Sequence, residues 1–72
     1  MDIKEKIGKH LKILRTNKGL TQEKLSYESE VDKTYISEVE NGKRNISVVN
    51  LEKLITTMES TVKEFFNHKD FE

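Results

Sequence analysis

Seventy-two residues without a cysteine make one small domain that neither a disulfide nor a thiolate-bound metal can stiffen. Thirteen basic and thirteen acidic side chains cancel, so no net positive charge marks the chain as a polyanion binder. Residues 1–50 nevertheless hold ten Lys/Arg against eight Asp/Glu, and residues 51–72 three against five, which makes the N-terminal part the better candidate for an anionic partner.

No apolar run approaches the roughly 20 residues that cross a bilayer, and Met1-Asp2-Ile3-Lys4 does not begin a signal peptide. A soluble, cytoplasmic protein with no membrane partner is the expectation. Helix formers dominate and no proline interrupts them. Ile3, Ile7, Leu11 and Leu14 recur at helical spacing and mark the apolar stripe of a first helix. Asn17-Lys18-Gly19 stops it, with Gly19 suited to the left-handed position past a helix end. Thr21 caps a short second helix around Leu25, although Lys24 stands where a full capping box would have Glu or Gln. That helix should break near Ser29-Glu30. Asp32 then caps a third helix from Lys33 to about Asn41, and Gly42 ends it. Ser47 caps a fourth with Val48, Leu51, Leu54, Ile55 and Met58. A short fifth begins after Ser60 with Val62, Phe65 and Phe66, leaving Phe71 beyond the last helix and frayed. The expected fold is all-α, a five-helix bundle.

The spacing after Gln22 is informative. Ser26 follows by four residues, and Leu25, Val31, Ile36 and Val39 by three, nine, fourteen and seventeen. Two helices joined by a tight turn need this pattern: Leu25 and Ile36 pack across the crossing, Ser26 permits close approach, and Val31 plugs the corner. Such a pair leaves the outer face of its second helix free to enter a DNA major groove, N-terminal residues first.

Leu20-Thr21-Gln22-Glu23-Lys24-Leu25, followed by Thr34-Tyr35-Ile36-Ser37-Glu38-Val39-Glu40-Asn41-Gly42-Lys43-Arg44, resembles the Cro/phage-repressor-type (XRE) helix-turn-helix family. The similarity runs from about Ile7 to Phe66. The block from Lys33 to Asn45 looks most like the small controller proteins of restriction–modification systems, which are similar in length too. The resemblance implies a single phage-repressor-type domain over residues 1–72, with its helix-turn-helix core at about 21–42 and a dimerisation region at about 51–68. It also implies a homodimeric, sequence-specific regulator of transcription on a two-fold symmetric operator in double-stranded DNA, with autoregulation of a restriction–modification system as its role. In the family the turn usually has glycine or asparagine where Glu30 stands. A left-handed Glu30 would cost about 1 kcal/mol relative to glycine.

By the same resemblance, Gln22 contacts a phosphate and supports the reading helix. Lys33 and Thr34 open that helix; lysine can reach guanine O6 or N7, and threonine a thymine methyl, a base or a phosphate. Family controllers commonly have arginine at the Lys33 position, and lysine lacks its planar fork, so discrimination there should be looser. Tyr35 is expected to point outward onto DNA, since Ile36 and Val39 already meet the apolar demand. Ser37 and Glu38 lie on or near the same face. Glu38 either accepts from a cytosine amino group or repels phosphate, and the sequence favours neither. Asn41, Lys43 and Arg44 would grip the backbone, with Asn45 adding a contact. Arg15 and Glu40 should form a structural salt bridge. Ile55, Met58, Val62, Phe65 and Phe66 offer more apolar surface than so short a chain easily buries, and are candidates for a dimer seam. Glu23, in an acidic group with Glu28 and Glu30, is a candidate contact for the sigma subunit of RNA polymerase.

An enzyme is not expected. His10 and His68 are far apart in sequence, with no cysteine or carboxylate pair at ligand or catalytic spacing, and a surface position explains both. No metal, cofactor or small-molecule ligand is expected. The competing reading is a protein-interaction module of the same fold, such as an antitoxin or anti-repressor. Zero net charge and Glu38 favour it; Lys33-Thr34-Tyr35-Ser37 and the neighbouring Lys43-Arg44 favour DNA.

Overall fold

In the structure, a computed structural model describing residues 1–72, five helices follow one another: α1 (Ile3–Asn17), α2 (Gln22–Ser29), α3 (Lys33–Glu40), α4 (Val48–Thr57) and α5 (Val62–Phe66). A 3-10 turn over Lys69–Phe71 comes last, and there is no strand. No helix is long and apolar enough to cross a membrane.

Each helix starts on a side chain that satisfies an amide with no partner inside the helix. Thr21 accepts from Lys24 N at 3.0 Å, Asp32 from Tyr35 N at 3.2 Å, Ser47 from Asn50 N at 3.1 Å and Thr61 from Glu64 N at 3.0 Å. At α1 the box is complete: Asp2 accepts from Glu5 N, and Glu5 accepts in return from Asp2 N, both at 3.0 Å. Gly42 follows α3 with φ +72°, a backbone state that residues with a side chain rarely adopt.

Ten side chains form the core: Leu11, Leu25, Val31, Ile36, Val39, Leu51, Leu54, Ile55, Met58 and Phe65. Leu25 and Ile36 are both buried at the α2–α3 crossing. At the corner, Ser26 Oγ donates to Val31 O at 2.6 Å, while Val31 N donates to Ser29 Oγ at 3.2 Å. Buried Val31 therefore leaves no peptide group of its own unpaired. Glu30 is left-handed (φ 62°, ψ 22°), so the turn keeps its geometry at a cost of about 1 kcal/mol relative to glycine.

Two features that hold α1 in place escape the helical periodicity. Gly8 lies against α3 so closely that a β-carbon there would sit 2.1 Å from Val39 O. The C-terminal turn also folds back onto α1. Asp70 Oδ2 lies 3.0 Å from His10 Nε2, 3.3 Å from Lys9 Nζ and 3.7 Å from His68 Nδ1. The Phe71 ring sits 4.8 Å from Phe66 and 5.0 Å from His10. Phe71 is thus packed rather than frayed, and His10 is buried rather than on the surface. The hydrogen bond from His10, with help from Lys9 and His68, holds the Asp70 carboxyl below its ordinary value of 3.8.

Candidate nucleic-acid interface

The front of α3 is anchored from behind and open in front. Ile36, Val39 and Glu40 face inward, while Lys33 and Thr34 in the first turn are exposed. The anchor at the rear is Glu40. Its carboxylate accepts from Arg15 Nε at 2.7 Å and Arg15 Nη2 at 2.9 Å, and from Gln22 Nε2 at 3.0 Å. Arg15 Nη1 adds a bond to Leu20 O at 2.7 Å, so one guanidinium ties α1, the α1–α2 turn and α3 together. The hydrogen bond that Arg15 donates to Glu40 raises the Arg15 pKa against the opposing effect of burial. Gln22 gives one of its two amide N–H donors to Glu40, which leaves the other N–H and the carbonyl oxygen to act outward.

Tyr35 departs from expectation. Its ring is half-buried and packs against the core. Its hydroxyl donates to Asn45 O at 3.4 Å and accepts from Ser47 N at 3.3 Å, bridging the loop between α3 and α4. The ring thus lies along the bundle. An aromatic residue flanked by Ile36 reads as outward from spacing alone, and the loop that returns to cover it lies ten residues downstream.

The basic loop after α3 is organised by that ring. Arg44 Cζ stacks 4.7 Å from the Tyr35 ring centroid, and Arg44 Nη1 donates to Glu38 Oε1 at 3.0 Å. Lys33 and Lys43 are exposed, and neither has a carboxylate at ion-pair distance. Asn41 turns its amide back onto Ser37 O at 2.9 Å, capping the helix instead of reaching outward. Ser37 is half-exposed on the helix face, and Asn45 offers its backbone carbonyl to Tyr35. Glu23 is exposed at the start of α2.

The candidate dimer residues divide sharply. Ile55 is 0% exposed and Met58 1%, and Phe65 is also buried; these are core residues of a single chain and have no surface for a partner. Val62 is exposed and Phe66 half-buried. The unpartnered apolar surface lies elsewhere. Val48 is 81% exposed and Val49 71%, and with Ile7, Ile46, Val62 and Phe66 they line a shallow apolar depression. The sequence did place Val48 on α4, yet periodicity reports which side of a helix is apolar and not which chain covers it.

His10, His68 and Asp70 offer three ligand atoms within 4.8 Å of one another and are the residues here that could hold a metal ion. The carboxylate is already met by Lys9 and His10, and His68 Nδ1 accepts from Asp70 N at 3.0 Å, so the cluster serves as a clasp between the chain's two ends.

Comparison with known proteins places this geometry. A helix-turn-helix family model matches residues 11–65. The control protein C.MunI of Mycoplasma sp is 46% identical over 67 residues, covering 92% of this chain and 90% of that protein. The crystal structure of the restriction–modification controller protein C.AhdI from Aeromonas hydrophila superimposes with a TM-score of 0.83 at 44% identity, covering 88% of this chain and 96% of that one. The controller C.Esp1396I, crystallised as a tetramer in complex with its natural 35 base-pair operator, superimposes with a TM-score of 0.85 at 36% identity, covering 92% and 87%.

Proposed function

The chain belongs to the XRE-type helix-turn-helix family, and from that premise we propose that it is a sequence-specific DNA-binding regulator of transcription, the autoregulatory controller of a restriction–modification system. The observation that carries this reading is the exposed first turn of α3, with Lys33 and Thr34 free, on a helix fixed from behind by Arg15 and Glu40. A recognition helix needs both properties: free donors at its N-terminal end and a rigid mount that spends no binding energy on ordering.

Lys33 and Thr34 read base edges; Lys43 and Arg44 hold phosphates; Gln22 and Asn41 act chiefly by fixing the helix ends. The acting unit is a homodimer on a two-fold symmetric operator, because one helix reads too few base pairs to rise far above non-specific binding. Its seam is the apolar depression around Val48, Val49, Val62 and Phe66. The place of action is the cytoplasm, where its DNA lies. Exposed Glu23 is the candidate contact for the polymerase sigma subunit. Glu23→Lys should abolish activation with DNA binding intact, and unchanged activation removes that contact.

Selection of bound duplexes from a random pool at about 150 mM salt tests the whole reading. Enrichment of a two-fold symmetric motif, lost on Thr34→Ala, is expected. About four to eight phosphate contacts per dimer would make log K fall by roughly 0.9 per contact for each decade of salt. Retention without a motif would indicate a non-specific binder, and no retention would turn the search to a protein partner.

A further inference from the structure

Of the three cations flanking the reading helix, only Arg44 is held by a carboxylate. Its partner Glu38 lies four residues after Thr34, and residues so spaced share a helix face. The Glu38 and Arg44 side chains remain 44% and 53% exposed, and the guanidinium is also stacked on Tyr35. Tyr35 cannot swing aside freely, because its hydroxyl is bonded on both sides to the Asn45–Ser47 backbone. The free protein thus stores its phosphate-binding arginine against a carboxylate that itself faces the reading surface.

We propose that Glu38 is a specificity-determining residue that reads a cytosine in each half-site, and that its pair with Arg44 disfavours every site lacking that cytosine. The inference rests on the DNA-binding reading above and deepens it. When Arg44 turns to a phosphate, Glu38 loses its donor and is left facing a polyanion. A carboxylate only accepts hydrogen bonds, so it needs a donor from the groove. Two base edges in the major groove carry an amino donor, cytosine at N4 and adenine at N6. Adenine sets its N7 acceptor beside that donor, where it repels a second carboxylate oxygen, so cytosine is the base that a carboxylate accepts from. A half-site presenting that amino group restores what Arg44 gave up. A half-site with thymine or guanine there presents acceptor oxygens to an anion and restores nothing. Discrimination then comes from penalising wrong sequences, which a neutral residue at position 38 would not do.

Glu38→Gln supplies the test, read by duplex selection and by titration against a random-sequence duplex. The variant should lose the cytosine preference, with adenine tolerated or favoured through the glutamine amide. It should also bind random duplex about fivefold more tightly per protomer, the size of one exposed ion pair, with the gain shrinking as salt rises. Removing any acid near DNA raises affinity, so the pair itself is tested in the Arg44→Gln background. There the gain from Glu38→Gln should be clearly smaller, while the cytosine preference is still lost. A wild-type motif that Glu38→Gln leaves unchanged overturns the inference and leaves the regulator reading standing. So does an equal gain with and without Arg44. A wild-type protein that enriches no motif overturns the regulator reading first and this inference with it, a result visible before any variant is made.

Discussion

Arg15 and Glu40, 25 residues apart, meet through two parallel hydrogen bonds of 2.7 and 2.9 Å, with the Glu40 side chain only 2% exposed. Parallel bonds of this kind use the planar fork that lysine lacks. Arg15→Ala should therefore cost about 3 kcal/mol in urea unfolding, since it leaves a buried carboxylate with Gln22 as its remaining partner. Arg15→Met combined with Glu40→Met should recover most of that loss. If the double variant is no more stable than the single one, the pair contributes more than mutual neutralisation.

Gly8 should tolerate no side chain. Alanine at a helix interior ordinarily gains about 1 kcal/mol over glycine. Here the added carbon would meet Val39 O, a backbone atom that cannot rotate away. Gly8→Ala is expected to lower stability by about 2 kcal/mol net, read by thermal or urea denaturation. A neutral or stabilising result would mean that α1 and α3 can separate without harm.

The proposed seam around Val48 and Val49 makes an opposite demand. Val49 is already exposed in the single chain, so Val49→Asp should leave its fold and circular dichroism spectrum unchanged. In a dimer each buried valine contributes about 1.5 kcal/mol, and a carboxylate there would be desolvated as well. Sedimentation should show the variant as monomer at concentrations where the parent is dimer. A variant that stays dimeric places the seam elsewhere.

The C-terminal clasp should weaken in acid. His10, with Lys9 and His68, lowers the Asp70 pKa in the folded state, so protonation opposes docking. The stabilisation is fully present above the unfolded value of 3.8 and is lost as pH falls through the lower folded value. The protection of the residue 68–71 amides, taken relative to their intrinsic exchange at each pH, should fall below about pH 4, and Asp70→Asn should show lowered protection already at neutral pH. Equal protection in both proteins would assign the clasp to Phe71 alone.

How far the fold was legible follows from what is local. The Thr21, Asp32 and Ser47 caps, the Gly19 and Gly42 stops and the Leu25–Ile36 crossing all act within a few residues or one turn. Each appears where the pattern put it. Three features did not follow from local pattern. Ile55 and Val48 are both apolar residues of α4, yet one is fully interior and the other bare. Tyr35 is covered by a loop that periodicity cannot see. His10 meets Asp70 only because the chain's end returns across 60 residues. The helix-interior Gly8 was itself a signal of close approach, since a helix rarely keeps glycine without a packing reason.

The Tyr35 hydroxyl, bonded to Asn45 O and Ser47 N, has a metric consequence. It braces the short loop that runs from the end of α3 to Val48, where the proposed seam begins. Two chains joined at that seam would hold their reading helices like the jaws of a caliper whose arms do not slide. One base pair inserted between half-sites moves them about 3.4 Å apart and rotates one against the other by about a tenth of a turn. A braced arm cannot follow, so the DNA must bend or untwist instead. Tyr35→Phe would loosen the arm, and the change to look for is tolerance of altered half-site spacing.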